Sequence, residues 1–200
     1  MLHPSIHAST EALEALAAQP IRGPIQAEVP IAPGVSLSWD VASGTTVKAQ
    51  SGEDLLDLEI QVPAAPPSWL ALNLSLGRGH FTKGEALGIV YRGSVVGASR
   101  LSPKIRSNRG GKTTDTPLQE PLTFGAPQTT RIAMHSVTAY DGITSPSQSV
   151  DGAASEPPYH MLILPLPPCS SRVVLTEFRL FWVDAAHGTA LRPTTLSSYS

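Results

Sequence analysis

From Val35 onward the apolar positions recur with period two, the signature of half-buried strands. Val35-Ser-Leu-Ser-Trp39 alternates in this way. Leu56, Leu58, Ile60 and Val62 share one face of the run from Leu55 to Val62, and Pro66-Pro67 closes it. The clearest alternation runs from Trp69 to Leu76: Leu70, Leu72, Leu74 and Leu76 lie on one side, Trp69, Ala71, Asn73 and Ser75 on the other. A helix would scatter those leucines around its axis. Further strands are predicted over 86–91, 95–105, 129–140, 161–166 and 172–183. In the strand over 129–140, Ile132 and Met134 are expected inward. In the last strand, Val174, Phe178, Leu180 and Trp182 are expected on one face, with Glu177, Arg179 and Phe181 on the other. Residues 107–121 and 142–158, rich in Gly, Ser, Thr and Pro, read as loops.

Before Val35 the pattern is different. Ser9 or Thr10 is placed to cap a helix over Glu11–Gln19, ended by Pro20, with Leu13, Leu16 and Ala17 as a narrow apolar stripe. Pro20, Pro24, Pro30 and Pro33 then make an extended connector with edge-strand character at most. The division is therefore residues 1–34, a helical arm and Pro-rich connector, and residues 35–200, a β-sandwich domain. The arm either packs on its own domain or docks on another subunit of a particle or homo-oligomer. Strands without intervening helices exclude a parallel α/β sheet and call for two packed antiparallel sheets. The expected fold is an all-β, jelly-roll-like two-sheet sandwich with a short N-terminal helix.

Composition narrows the function. Charged residues are only 15% of the chain and the net charge is −2, so no excess of cations is present to neutralise a phosphate backbone. Nucleic acid is not an expected partner. No apolar run approaches the length of a membrane-spanning helix. The N-terminus lacks the basic and apolar regions of a secretory signal, and the single Cys169 forms no intramolecular disulfide, so synthesis and folding in the cytoplasm are expected.

The motifs that carry catalysis are missing or broken. Asn108-Arg-Gly-Gly-Lys-Thr-Thr114 looks like a phosphate loop, but position 106, where that motif needs glycine, is Arg106. His3, His7, His80, His135, His160 and His187 form no ligand pattern with a cysteine, so no metal site and no cofactor are expected. The turns at Asp141-Gly142, Asp151-Gly152 and Asp184 are assigned to Asx turns, with a structural calcium held by loop oxygens as the alternative. A hydrolase would need two carboxylates about 5–10 Å apart, which no motif here announces. On the faces turned away from the core, Trp69, Asn73, Arg92, Arg100 and Arg106, with Arg179, offer what a sugar-binding surface uses. An aromatic ring takes the C–H face, and amide and guanidinium groups take the hydroxyls.

The sequence also carries a family resemblance. Ser68-Trp-Leu-Ala-Leu-Asn-Leu-Ser75, then Leu87-Gly-Ile-Val-Tyr-Arg92, then Ala98-Ser-Arg-Leu101, a loop with Asp115, and Leu175-Thr-Glu-Phe-Arg-Leu-Phe181 follow one another at jelly-roll spacing. Over residues 35–184 this order resembles carbohydrate-binding modules and galactose-binding-like domains. The resemblance implies non-catalytic recognition of a cell-surface glycan, with Asp115 a loop candidate for ligand contact. The arm-and-sandwich layout is also similar to host-attachment components of phage-like particles, which implies a virion-associated protein. A structural subunit acting in assembly without binding glycan is the alternative.

Overall fold

A computed structural model describes residues 3–144 and 156–185. Helix α1 (Pro4–Ala18) is followed by β1 (Arg22–Ile25), β2 (Pro30–Ala32), β3 (Val35–Trp39), β4 (Thr46–Gln50), β5 (Leu56–Gln61), β6 (Leu70–Arg78) and β7 (Ala86–Val95). Then come β8 (Arg100–Leu101), β9 (Lys104–Arg109), β10 (Lys112–Pro117), β11 (Leu122–Thr123), β12 (Arg131–Ser136), β13 (Tyr159–Pro165) and β14 (Ser171–Val183). Two six-stranded antiparallel sheets form the sandwich. The first has the order β1-β4-β5-β14-β7-β12, the second β10-β9-β13-β6-β3-β2, and β8 and β11 pair separately. The expected all-β sandwich with an N-terminal helix is the fold observed.

The core lies between the sheets. Leu58, Ile60, Leu87, Ile89 and Val173 enter it from the first; Leu37, Leu74, Leu76, Ile105 and Leu162 from the second. Each fully buried aliphatic side chain contributes roughly 2 kcal/mol by removal from water.

The helix begins earlier than its hydroxyl residues suggest. His3 is the N-cap and its ring accepts the Ser5 N–H at 3.2 Å, while Pro4 occupies the first turn. Because Nδ1 accepts, the proton sits on Nε2, which donates to the His80 carbonyl oxygen at 3.0 Å. Ser9 and Thr10 lie inside the helix and turn their hydroxyls back onto the Ile6 carbonyl at 2.9 and 2.8 Å. Ile6, Ala12 and Leu16 are buried in this chain's own core, so any intersubunit role falls to the helix's outer side. Residues 22–25 and 30–32 of the connector pair as the outermost strands of the two sheets.

Three departures from simple alternation are instructive. A bulge lies between Leu175 and Glu177 in β14. Val173 and Leu175 therefore face the core before it, and Phe178 and Leu180 after it, so Val174 is not the inward residue. In β12, Ala133 and His135 point inward at 2% and 1% exposure, whereas Ile132 is 59% exposed. The inward place of a histidine is what hid this register. Finally, 107–121 is not a loop. Gly110 and Gly111 both take positive φ, at 55° and 80°, and turn β9 into β10 as a two-residue hairpin. The segment resembling a phosphate loop is this hairpin.

Candidate functional site

The outer face of the second sheet is assembled by strand register. One row across it reads Asp115, Arg106, Met161 and Ser75; the next reads Lys104, Ile163, Asn73 and Ser36; a third reads Pro165, Ala71 and Ser38. Ala71, Asn73 and Ile163 are only 7%, 8% and 6% exposed, although the leucines beside them on β6 face the core. The middle of β6 is thus buried on both sides, where the alternating pattern implied one open face.

Polar groups on this face are held in place. The Asn73 side-chain amide donates to Ser38 Oγ at 3.0 Å, and the Tyr159 hydroxyl donates to Ser75 Oγ at 3.0 Å. Arg106 donates through Nε and Nη2 to the two oxygens of Asp115 at 2.7 and 2.8 Å. Lys104 Nζ donates to the same carboxylate at 2.7 Å. The hydrogen bond from Arg106, reinforced by Lys104, holds the Asp115 carboxyl well below the usual carboxylate range. Two cations around one anion leave a cluster, spanning two rows, with one net positive charge and a fixed fork geometry.

Aromatic groups bracket the rows. Trp69 stands at the start of β6 and is 53% exposed. Its backbone is fixed by Asp40, whose N–H donates to the Trp69 carbonyl at 3.1 Å and whose carboxylate accepts the Ser68 hydroxyl at 3.0 Å. At the opposite end, Tyr159 borders a hollow of about 430 Å³ shared with Asn108, Arg109, the Gly110-Gly111 turn and Arg78. Arg78 pairs with Glu156 at 3.2 Å. Six residues of strand separate Trp69 from Ser75, the partner of Tyr159, a span of about 20 Å along the sheet.

The sequence candidates therefore fall in three places. Trp69, Asn73, Arg106 and Asp115 share the second sheet. Arg92 and Arg179 lie on the outer face of the first sheet, where Arg92 donates to Thr176 Oγ1 at 3.0 Å and Arg179 pairs with Glu177. Arg100 is in the separate β8–β11 pair. Tyr159 and Lys104 were missed as site residues. Lys104 carried no signal beyond a polar place in an alternating run. For Tyr159 the strand extends two residues before the apolar stretch that announced it.

The histidines serve the interior. His160 Nε2 donates to the Gly79 carbonyl at 3.0 Å and its Nδ1 accepts the Ser107 hydroxyl at 2.8 Å, and burial pushes its pKa down to about 4. Burial also lowers that of His135, which sits 3.4 Å from Asp141. Asp141 accepts the Thr138 N–H at 2.6 Å and returns its own N–H to the Thr138 carbonyl, so its carboxylate closes the turn backward onto Thr138, whereas the expected Asx turn would accept from two residues further on. Asp151 and His187 lie outside the described residues. Among the described residues no three His, Cys, Asp or Glu side chains are grouped as a metal would require, and no helix is long and apolar enough to cross a membrane.

Comparison with known proteins agrees with the architecture. No protein-family model matches the chain, and no curated protein matches it by sequence. Among solved structures, a family 4 carbohydrate-binding module described as "CBM4 structure and function" is similar at a TM-score of 0.53 and 14% identity, covering 85% of this chain and 98% of that one. A xylan-binding domain of Paenibacillus barcinonensis Xyn10C gives a TM-score of 0.43 at 15% identity over 79% and 91% of the two chains. A Stig cyclase from Fischerella sp. TAU gives 0.44 at 9% identity over 84% and 100%. Of these three only the first exceeds 0.5, and at its low identity it establishes the fold alone: a β-sandwich of the kind used by carbohydrate-binding modules.

Proposed function

We propose that this chain is a non-catalytic glycan-binding module whose ligand lies across the outer face of the second sheet. The observation that carries the reading is the pairing of two aromatic residues, Trp69 and Tyr159, at opposite ends of one face, where buried Ala71 and Asn73 form the floor and the partly exposed Lys104–Asp115–Arg106 cluster stands beside it. Trp69 offers its ring to the C–H side of a sugar. The fixed guanidinium and carboxylate of Arg106 and Asp115 offer donors and acceptors at set angles to ring hydroxyls. Such a surface binds weakly at one site, so many copies acting together are needed for firm attachment. Display on a phage-like particle, as a host-surface attachment component, is the setting we propose for that multiplicity.

The test is a glycan array followed by titration calorimetry, with the intact chain and with Trp69→Ala and Arg106→Gln. Saturable binding of a defined oligosaccharide, weakened at least tenfold by Trp69→Ala, is expected. Absence of binding to every arrayed glycan would overturn the reading and favour the assembly role.

A further inference from the structure

A second recess lies away from the proposed glycan face, and its origin is topological. Pairing between β5 and β14 ends at Leu56 and Leu175, and the bulge follows at once. Beyond it β14 keeps β7 on one side, while helix α1 packs along β14. A helix and a strand edge cannot close as tightly as two paired strands, and a cavity of about 350 Å³ remains between them. Its walls are Leu13 and Ala17 of the helix, Leu55, and Phe178 and Leu180 of β14. This size, and apolar walls edged by Thr10, Thr176 and charged side chains, suit a small amphipathic organic ligand.

The charge around the recess is net negative. Glu14 and Glu177 stand at its rim. Helix α1 carries Glu11 and Glu14 and neither Lys nor Arg, and Leu55 is preceded by Glu53-Asp54. The single basic side chain lining it, Arg179, is engaged by the Glu177 carboxylate, whose other oxygen accepts the Thr130 hydroxyl at 3.0 Å. Glu14 is thus the carboxylate at the rim open to a new cation. We propose that the α1–β14 recess binds a small amphipathic organic cation, its apolar body against Leu13, Leu55 and Phe178 and its basic group facing Glu14. An isosteric acid would meet the same apolar walls and a repelling rim.

The experiment compares 2-phenylethylamine with 3-phenylpropanoate by methyl NMR on the intact chain. The amine is expected to shift the methyl signals of Leu13, Leu55 and Leu180 saturably, at least tenfold more tightly than the acid, and more weakly as salt is raised. Glu14→Gln is expected to weaken the amine about fivefold. Ala17→Trp, at an exposed helix position, fills the recess and is expected to abolish the shifts. Equal affinity for amine and acid, no shift at these leucines, or full binding by Ala17→Trp would each overturn the proposal. Glycan binding is read in parallel: Trp69→Ala leaves the amine response intact and Ala17→Trp leaves the glycan response intact, so either proposal fails alone.

Discussion

The two outer sheet faces of this sandwich are built from similar residue types and arranged differently. On the first sheet, Phe181 lies over Gly88: a β-carbon added at Gly88 would meet the ring at 2.1 Å. The aromatic ring there is pressed onto backbone and serves packing. On the second sheet, Trp69 is more than half exposed, at 53%, and its backbone rather than its ring is tied down, by Asp40. The arginines differ in the same way. Arg179 has one carboxylate partner two residues along its own strand, whereas Arg106 is clamped bidentately to a neighbouring strand with Lys104 beside it. On the proposed reading, the recognition ring is the one left free on a held backbone. A ring seated over glycine marks a packing seam.

The largest effects should come from disturbing the seam. A β-carbon at Gly93 would meet the main-chain oxygen of Val174 at 2.0 Å, beside the β14 bulge. Gly93→Ala is expected to cost roughly 3 kcal/mol, because backbone must move. Gly88→Ala meets only a side-chain ring, which can rotate away, and is expected to cost about 1 kcal/mol. Denaturant unfolding checks both, and equal costs would show that the ring at Gly88 is as immovable as the main chain at Gly93.

Next in size is the response to acid at the interior of the second sheet. His160 binds its proton less readily folded than unfolded, with a pKa of about 4 against 6.5. The unfolded chain therefore takes up the proton first as pH falls. Stability is complete above about pH 6.5, declines as pH falls through that value, and by pH 4 has lost roughly 3 kcal/mol from this residue. His135, lowered by burial, acts in the same direction. Urea unfolding between pH 7 and 4.5 should show the decline, and His160→Gln should reduce it. An unchanged slope in that variant would assign the effect elsewhere.

Smaller effects are expected at two exposed features. Gln119 and Glu120 plug the free edge of β12: the Gln119 side chain exchanges hydrogen bonds with Ser136 N–H and C=O at 3.1 and 3.2 Å, and Glu120 accepts the Met134 N–H at 2.8 Å. Gln119→Ala is expected to cost about 1 kcal/mol and to raise self-association in sedimentation, since it bares strand edge. Asp115→Asn should change stability by less than about 1 kcal/mol, because the cluster is partly solvated. If glycan binding depends on the fork, that substitution still weakens it clearly, separating recognition from stability.

Much of this could be read in the amino-acid pattern, and the failures have physical causes. The leucines of β6 declared a strand because period two survives burial on both faces. The face assignments in β12 and β14 failed where something other than hydrophobicity decided them: an inward histidine in one, a bulge in the other. The strand β10 was concealed because its Thr-rich residues carry no apolar alternation, and only Gly110-Gly111 signalled the hairpin. Trp69, Asn73, Arg106 and Asp115 were legible individually, but their grouping depends on the order β10-β9-β13-β6, which sequence spacing does not reveal. Tyr159 came into view only with that order.

The central claim is that the second sheet, and not the first, is the recognition face. Calorimetric titration of one array-positive oligosaccharide into Trp69→Ala and Phe181→Ala compares them directly. Trp69→Ala is expected to lose at least tenfold in affinity, about 1.4 kcal/mol, with unchanged stability, and Phe181→Ala to bind with unchanged affinity. Loss of binding in Phe181→Ala, with Trp69→Ala binding normally, would contradict it.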